Sequence, residues 1–184
     1  MKLPSIIIQI VFLILCIAPN YSQAQEEDNV ENEAGEEEGK FGLGLVLGYT
    51  YIPEARTEEG MTEAEYLPTI GLDFYYFPAE RWKLGLVVDL ELNSYEVDFD
   101  GERLPRENAL VTGLVAGYKI FPRFGVSIGP GIEFERNKNL FILRVGIEYL
   151  FYLENGWELF PALNYDFKQD FDTYSLGIGI SKRF

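Results

Sequence analysis

Between Phe41 and Phe184 the chain sets large apolar residues at every second position, and it does so in eight successive segments. Period two is the side-chain period of a strand, so each segment is a strand with one greasy face and one small or polar face. The first segment, FGLGLVLGYTY, sets Phe41, Leu43, Leu45, Leu47, Tyr49 and Tyr51 against Gly42, Gly44, Val46, Gly48 and Thr50. The last, YSLGIGISKRF, sets Tyr174, Leu176, Ile178 and Ile180 against Ser175, Gly177, Gly179 and Ser181, then stops on Phe184. The six greasy faces between them open at Ile70, Trp82, Leu110, Phe124, Phe141 and Trp157. No stretch of this region has helical periodicity. Strands of roughly ten residues, punctuated by Gly, Pro, Asn and charge, predict an all-β domain over 41–184: an eight-stranded antiparallel up-and-down β-barrel.

The connections orient that barrel. Those after the second, fourth and sixth strands are tight: PAER, PR and LENG. Those after the first and third, PEARTEEGMTEAE and VDFDGERLPRE, are long and hydrophilic, while RNKN and KQDFD after the fifth and seventh are short but polar. Short turns on one rim and longer loops on the other are the pattern of transmembrane barrels, with the short turns and both chain ends on the periplasmic side.

Volume assigns the faces. An eight-stranded barrel has an interior only just wide enough for side chains, so the glycine-rich parity belongs inside and the Leu, Ile, Phe, Tyr and Trp parity outside. Height along the strands agrees. Tyr76, Trp82, Tyr118, Phe124, Phe151, Trp157 and Phe184 fall at the short-turn rim, and Tyr51, Phe134, Phe141, Tyr165, Phe167 and Tyr174 at the long-loop rim. Two aromatic girdles flanking an aliphatic band are what a bilayer selects, so the expected surroundings are outer-membrane lipid. The opposite assignment, greasy face inward, would describe a soluble periplasmic lipocalin-like binder of an apolar ligand.

The start of the chain sets the compartment. MKLPSIIIQIVFLILCIAPNYSQAQ has a lysine, an apolar run from Ile6 to Ile17 and a Ser22-Gln23-Ala24 ending, which predicts a secretory signal peptide over 1–24. The run is too short for a transmembrane helix of about 20 residues. Cleavage removes the lone cysteine, Cys16, and with it any disulfide or thiol chemistry. It also removes one lysine and no acid, taking the formal charge from -15 to -16, which excludes nucleic acid as a partner. Residues 25–40, QEEDNVENEAGEEEGK, hold eight acids and almost nothing apolar, and read as a disordered acidic leader.

The ending SLGIGISKRF resembles the C-terminal signal of bacterial outer-membrane barrel proteins, with Phe184 terminal and Ile180, Ile178 and Leu176 alternating before it. Lys182 stands where such endings favour an aromatic. Taken with the eight strands, the chain from about Lys40 to Phe184 resembles the small outer-membrane β-barrel family of Gram-negative bacteria. That resemblance implies recognition by the barrel-assembly machinery through the C-terminal strand, and it brings no family-specific functional motif.

Any chemistry belongs to the interior parity, which carries Asp73, Asp89, Glu91, Glu133, Glu135, Glu148, Glu158 and Asp166 against Lys83, Lys119, Arg144 and Arg183. A loop at 136–139 sets Arg144 opposite Gly131 and diagonal to Glu133, and the turn near 153–157 sets it beside Asp166. A guanidinium meets two carboxylates at once, so Arg144 is expected between Glu133 and Asp166 in a structural charge network that also takes in Asp89, Asp73 and Glu148. A lumen with excess acid also allows a narrow cation-preferring channel.

Catalysis has little to stand on. The outer-membrane barrels that are enzymes resemble one another in using a histidine base, and this chain has no histidine, so Ser–His chemistry and imidazole-bound zinc are excluded. Glu133 and Glu135 are paired carboxylates, but a glycosidase needs a sugar cleft that so narrow a barrel does not offer. The lipid-facing Pro130 is expected to mark a bulge. The reading is a non-enzymatic barrel without cofactor or metal, structural or surface-interacting. Its acidic outer loops, with Glu54, Glu58, Glu59, Glu63 and Glu65 in the first, suit a cationic partner or divalent ions.

Overall fold

The computed structural model describes residues 39–56 and 62–184. The signal peptide and all but the last two residues of the acidic leader lie outside the described residues, as do Glu58 and Glu59 of the first long loop.

The described residues form β1 (Phe41–Arg56), β2 (Thr62–Ala79), β3 (Trp82–Glu91), β4 (Ser94–Phe99), β5 (Glu102–Glu107), β6 (Leu110–Phe121), β7 (Phe124–Phe134), β8 (Leu140–Tyr149), β9 (Phe151–Tyr152), β10 (Trp157–Phe167) and β11 (Thr173–Arg183). All pairings are antiparallel, in the order β11-β10-β8-β7-β6-β3-β2-β1, and β1 pairs β11 to close the ring. This is the closed eight-stranded barrel, with β9 continuing the line of β8 against β10 and with β4 and β5 standing outside the ring. The closing seam runs from Gly42↔Arg183 to Tyr51↔Tyr174, and the amides of Phe41 and Phe184 exchange hydrogen bonds at its foot.

The face assignment follows the alternation. Leu47 is 55% exposed, Leu114 65% and Ile178 61%, while Val111 and Ile142 on the other parity are fully buried. The apolar faces therefore point away from the lumen, and a lipocalin-like arrangement is excluded. Rings gather at both rims: Trp82 with Tyr118 at 4.8 Å and Phe41 with Tyr76 at 5.5 Å at the short-turn end, Tyr51 with Tyr66 at 4.9 Å and Tyr165 with Tyr174 at 4.6 Å at the long-loop end. Pro130 causes no bulge: Gly113↔Gly131 and Ala116↔Ile128 keep one register on either side of it. Its missing N–H removes one ladder bond and leaves the register unchanged.

Inward glycines make room for inward side chains on the adjacent strands. A Cβ on Gly85 would meet the Tyr75 ring at 2.9 Å, and one on Gly179 the Phe160 ring at 2.2 Å. The narrow interior is thus filled by large groups laid over glycine, as a ring of this size requires.

The long loops are ordered further than a solvated loop would be. β1 and β2 continue above the girdle, through a bulge between Ile52 and Ala55, to Arg56↔Thr62. β4 and β5 form a hairpin around Asp100 and Gly101, whose φ values of 52° and 78° are those of a type I′ turn. The hairpin crosses the mouth from the β3–β6 wall and lays β4 on the edge of β1 that β11 has left, pairing Ala55↔Val97 and Arg56↔Glu96. Under it lies an apolar cluster of Ile52, Ala55, Leu67, Tyr95, Val97, Phe99, Leu140 and Phe171. Ile52, Leu67 and Val97 are fully buried, and each stabilises the cover by about 2 kcal/mol.

Candidate functional site

The lumen is filled by charge in three tiers. In the middle tier Arg144 of β8 donates from Nε to Asp166 Oδ1 at 2.7 Å and from Nη2 to Asp166 Oδ2 at 2.8 Å, a bidentate fork set up by the direct pairing Asp166↔Arg144. Its remaining nitrogen, Nη1, bonds Asp89 on β3 across the lumen. Asp73, beside them, accepts from the Tyr75 hydroxyl at 2.6 Å.

Glu133 is elsewhere. The expected Glu133–Arg144–Asp166 clamp is corrected to Asp89–Arg144–Asp166, because Arg144 faces Gly129 rather than Gly131. The β7–β8 loop leaves the ladder after Glu133↔Leu140 and is held by its own side chains, with Asn137 N donating to Glu135 Oε2 at 2.8 Å. That moves β8 two residues along β7, which keeps Arg144 facing inward and changes its height.

In the tier beneath the hairpin, Glu133 accepts from Arg106 Nε at 2.9 Å and from Arg106 Nη2, and pairs with Lys168 Nζ at 2.5 Å. Arg106 also reaches Glu135 Oε2 at 3.5 Å and the Lys138 carbonyl. The Tyr95 hydroxyl donates to Glu133 Oε1 at 3.4 Å. Burial pushes the Tyr95 phenol well above its usual range, with the charges of Glu133 and Glu91 adding to it, so it stays a neutral donor. Glu91, 1% exposed, stands within electrostatic reach of Lys168, Glu133, Asp166 and Arg144. Its Oε2 and the Thr173 hydroxyl have no hydrogen-bond partner among the described residues.

In the tier at the short-turn end Lys83 Nζ bonds both oxygens of Glu148 at 2.6 Å and lies over the Tyr75 ring. Ser181 faces Glu158, and Arg183 lies over the Phe77 ring. Lys119 turns to the rim, where it meets the Tyr152 hydroxyl. Two small cavities lie at this end, each of about 10 Å³, the space of one water.

Glu133 and Glu135 are buried against Arg106, so they present no carboxylate pair to a substrate. Among the described residues no cluster of three or more Asp, Glu, His or Cys side chains is placed to hold a metal ion. Glu54 and Glu63 of the first long loop are exposed and stand apart from the lumen. Ile180, Ile178 and Leu176 face outward on β11, opposite Leu45, Leu47 and Tyr49, with Phe184 61% exposed at the end.

Arg106 and Lys168 are the two charged residues of the site that a reading of eight plain strands passes over. Both lie in connections. The Asp100-Gly101 pair between alternating residues 95–99 and 102–107 is the signal that would have found the hairpin.

No protein-family profile matches the chain, and no curated protein matches it. Solved structures do. The chain is similar to the N-terminal β-barrel domain of Pseudomonas aeruginosa OprF, with TM-score 0.53, 13% identity, and coverage of 79% of this chain and 99% of that one. It is similar to outer membrane protein OprG from Pseudomonas aeruginosa, with TM-score 0.53, 13% identity and coverage of 78% and 96%. It is also similar to outer membrane protein AlkL, solved in DMPC lipid bilayers, with TM-score 0.54, 16% identity and coverage of 82% and 92%. The fold is that of the small eight-stranded outer-membrane β-barrels.

Proposed function

We propose that this chain is an integral protein of a bacterial outer membrane, delivered by cleavage of residues 1–24 and acting there as a sealed, non-enzymatic barrel with a structural or surface-interaction role. The observation that carries the reading is the outward aliphatic band between two rings of aromatic side chains, which is costly in water and stable in lipid. The short turns, both ends of the barrel and the acidic leader then face the periplasm, and β4, β5 and the upper part of the β1–β2 hairpin face outward. In that orientation Phe184 with Ile180, Ile178 and Leu176 forms the strand that the barrel-assembly machinery takes up. Three tiers of ion pairs occupy the lumen, so a structural plug is favoured over a cation path.

The surface role is supported by the four-stranded sheet β2-β1-β4-β5 above the rim. It lifts Glu54 and Glu63 clear of the girdle, where they suit a cationic partner or bridging divalent ions.

Heat-modifiable gel mobility of the detergent-purified chain, with fractionation of cells expressing wild type and a Phe184 deletion, tests the reading. Faster migration before boiling and an outer-membrane wild type beside a degraded or periplasmic deletion are expected. A soluble wild type with unchanged mobility would overturn it.

A further inference from the structure

The hairpin β4–β5 does more than cover the mouth: it inserts Arg106 into a well built from the barrel wall. Three carboxylates line that well, Glu91 and Glu133 with residue exposures of 1% and 0%, and Glu135 with a side chain 1% exposed. Among the described residues Lys168 pairs with Glu133, Arg144 acts on Glu91 from the tier below, and the cation that joins Glu133 to Glu135 comes from the hairpin. Without Arg106 the buried carboxylates of Glu133 and Glu135 are left with Lys168 as their one paired base, an arrangement that favours a second cation.

The well also has an acceptor that Arg106 leaves unused. Glu91 Oε2 is buried and without a hydrogen-bond partner among the described residues. A buried acceptor left unpaired costs about 1–3 kcal/mol, so the set is better matched to a ligand with more N–H donors, or donors placed deeper, than the one guanidinium now seated.

The hairpin is joined to the barrel as a separable part. At its base Asn93 and Asn108 both have positive φ, 120° and 49°, and bond each other through Asn108 N to Asn93 O at 3.0 Å. At its far side two ladder pairs, Ala55↔Val97 and Arg56↔Glu96, and the Arg56–Asp98 ion pair tie it to β1. A short bent neck, a narrow latch and one inserted arginine describe a lid, seated on the apolar cluster beneath it and lifted only by a ligand that offsets the exposure of that cluster.

We propose that the long-loop mouth is a binding well for a small organic cation bearing a guanidinium or primary ammonium, and that Arg106 is its built-in occupant, displaced when the lid lifts. The ligand head takes the place of the Arg106 guanidinium against Glu133 and Glu135 and donates further to Glu91. No covalent step is involved. The proposal rests on the geometry of the mouth and goes beyond membrane placement, which gel mobility reports separately.

The test is calorimetric titration with agmatine of the detergent-purified mature chain, which carries no cysteine of its own, at fixed ionic strength. Arg106→Gln empties the seat and is expected to bind agmatine at least ten-fold more tightly than wild type. Adding Glu133→Gln to it should abolish that gain. A lid locked by Ala55→Cys with Val97→Cys should bind ten-fold more weakly when oxidised than when reduced. Unchanged affinity in Arg106→Gln, or indifference to Glu133→Gln or to the lock, would overturn the proposal. Should Arg106→Gln not fold, the rate at which the two thiols of the lock variant crosslink with Arg106 in place decides. Agmatine slowing it several-fold supports a displaceable lid, and a rate that agmatine does not alter contradicts one.

Discussion

Asp89 on β3 and Arg144 on β8 are bonded across the lumen, from walls separated by β6 and β7. Together with the Arg144–Asp166 fork this contact ties three strands through the middle of the barrel. Such a network holds only while it is complete.

Arg144→Leu is expected to destabilise the barrel by about 3–5 kcal/mol, since it leaves two buried carboxylates unpaired. Combining it with Asp89→Asn and Asp166→Asn should recover most of the loss. Urea unfolding of the refolded variants, followed by tryptophan emission, checks both. Equal losses in the single and triple variants would show that packing, not charge, holds this tier.

Tyr95 gives a pH dependence with a definite sign. Its folded-state pKa is raised, so its contribution is fully present below the unfolded value near 10 and is lost as pH rises above it. Wild type should therefore lose more stability between pH 9 and 11 than Tyr95→Phe does, whatever the lysines contribute to both. Parallel curves would contradict the buried, neutral phenol.

The turn between β9 and β10 needs two residues at positive φ, Asn155 at 57° and Gly156 at 71°. Gly156→Ala is expected to cost about 1–2 kcal/mol, from the left-handed backbone and from a Cβ placed 2.9 Å from the Arg183 carbonyl. Asn155→Gly should be close to neutral. The same unfolding experiment separates the two.

Conduction should be absent. In planar bilayers the wild-type barrel is expected to show no discrete current steps, because three tiers of buried ion pairs occupy its lumen. Steady unitary steps would reopen the cation-path reading.

The strands, their faces and both girdles were legible because period two and strand length are local properties of the sequence. Arg144 with Asp166 was legible too, since LENG is short enough to fix the register of β8 on β10. Its second partner was not. Asp89 lies across the lumen, and no pairing of neighbouring strands points to it. Glu133 was placed wrongly because the six residues between Glu133 and Leu140 fold on side-chain bonds, and loop length alone could not give the register. The lid lay in a connection read as long and hydrophilic, although Tyr95, Val97 and Phe99 alternate on its first strand. Alternation there is only three residues long, and what it packs against is the mouth of a barrel that must close first.

The outward band is the centre of this account, and the two tryptophans report on it directly. Trp82 and Trp157 both stand exposed at the short-turn rim, 50% and 41%. Depth-dependent quenching by brominated phospholipids should place both near the headgroups, while a tryptophan put at Leu72 in a Trp82→Phe, Trp157→Phe background should be quenched most by bromines deep in the acyl chain. Emission at all three positions quenched by aqueous iodide and untouched by brominated lipid would contradict it.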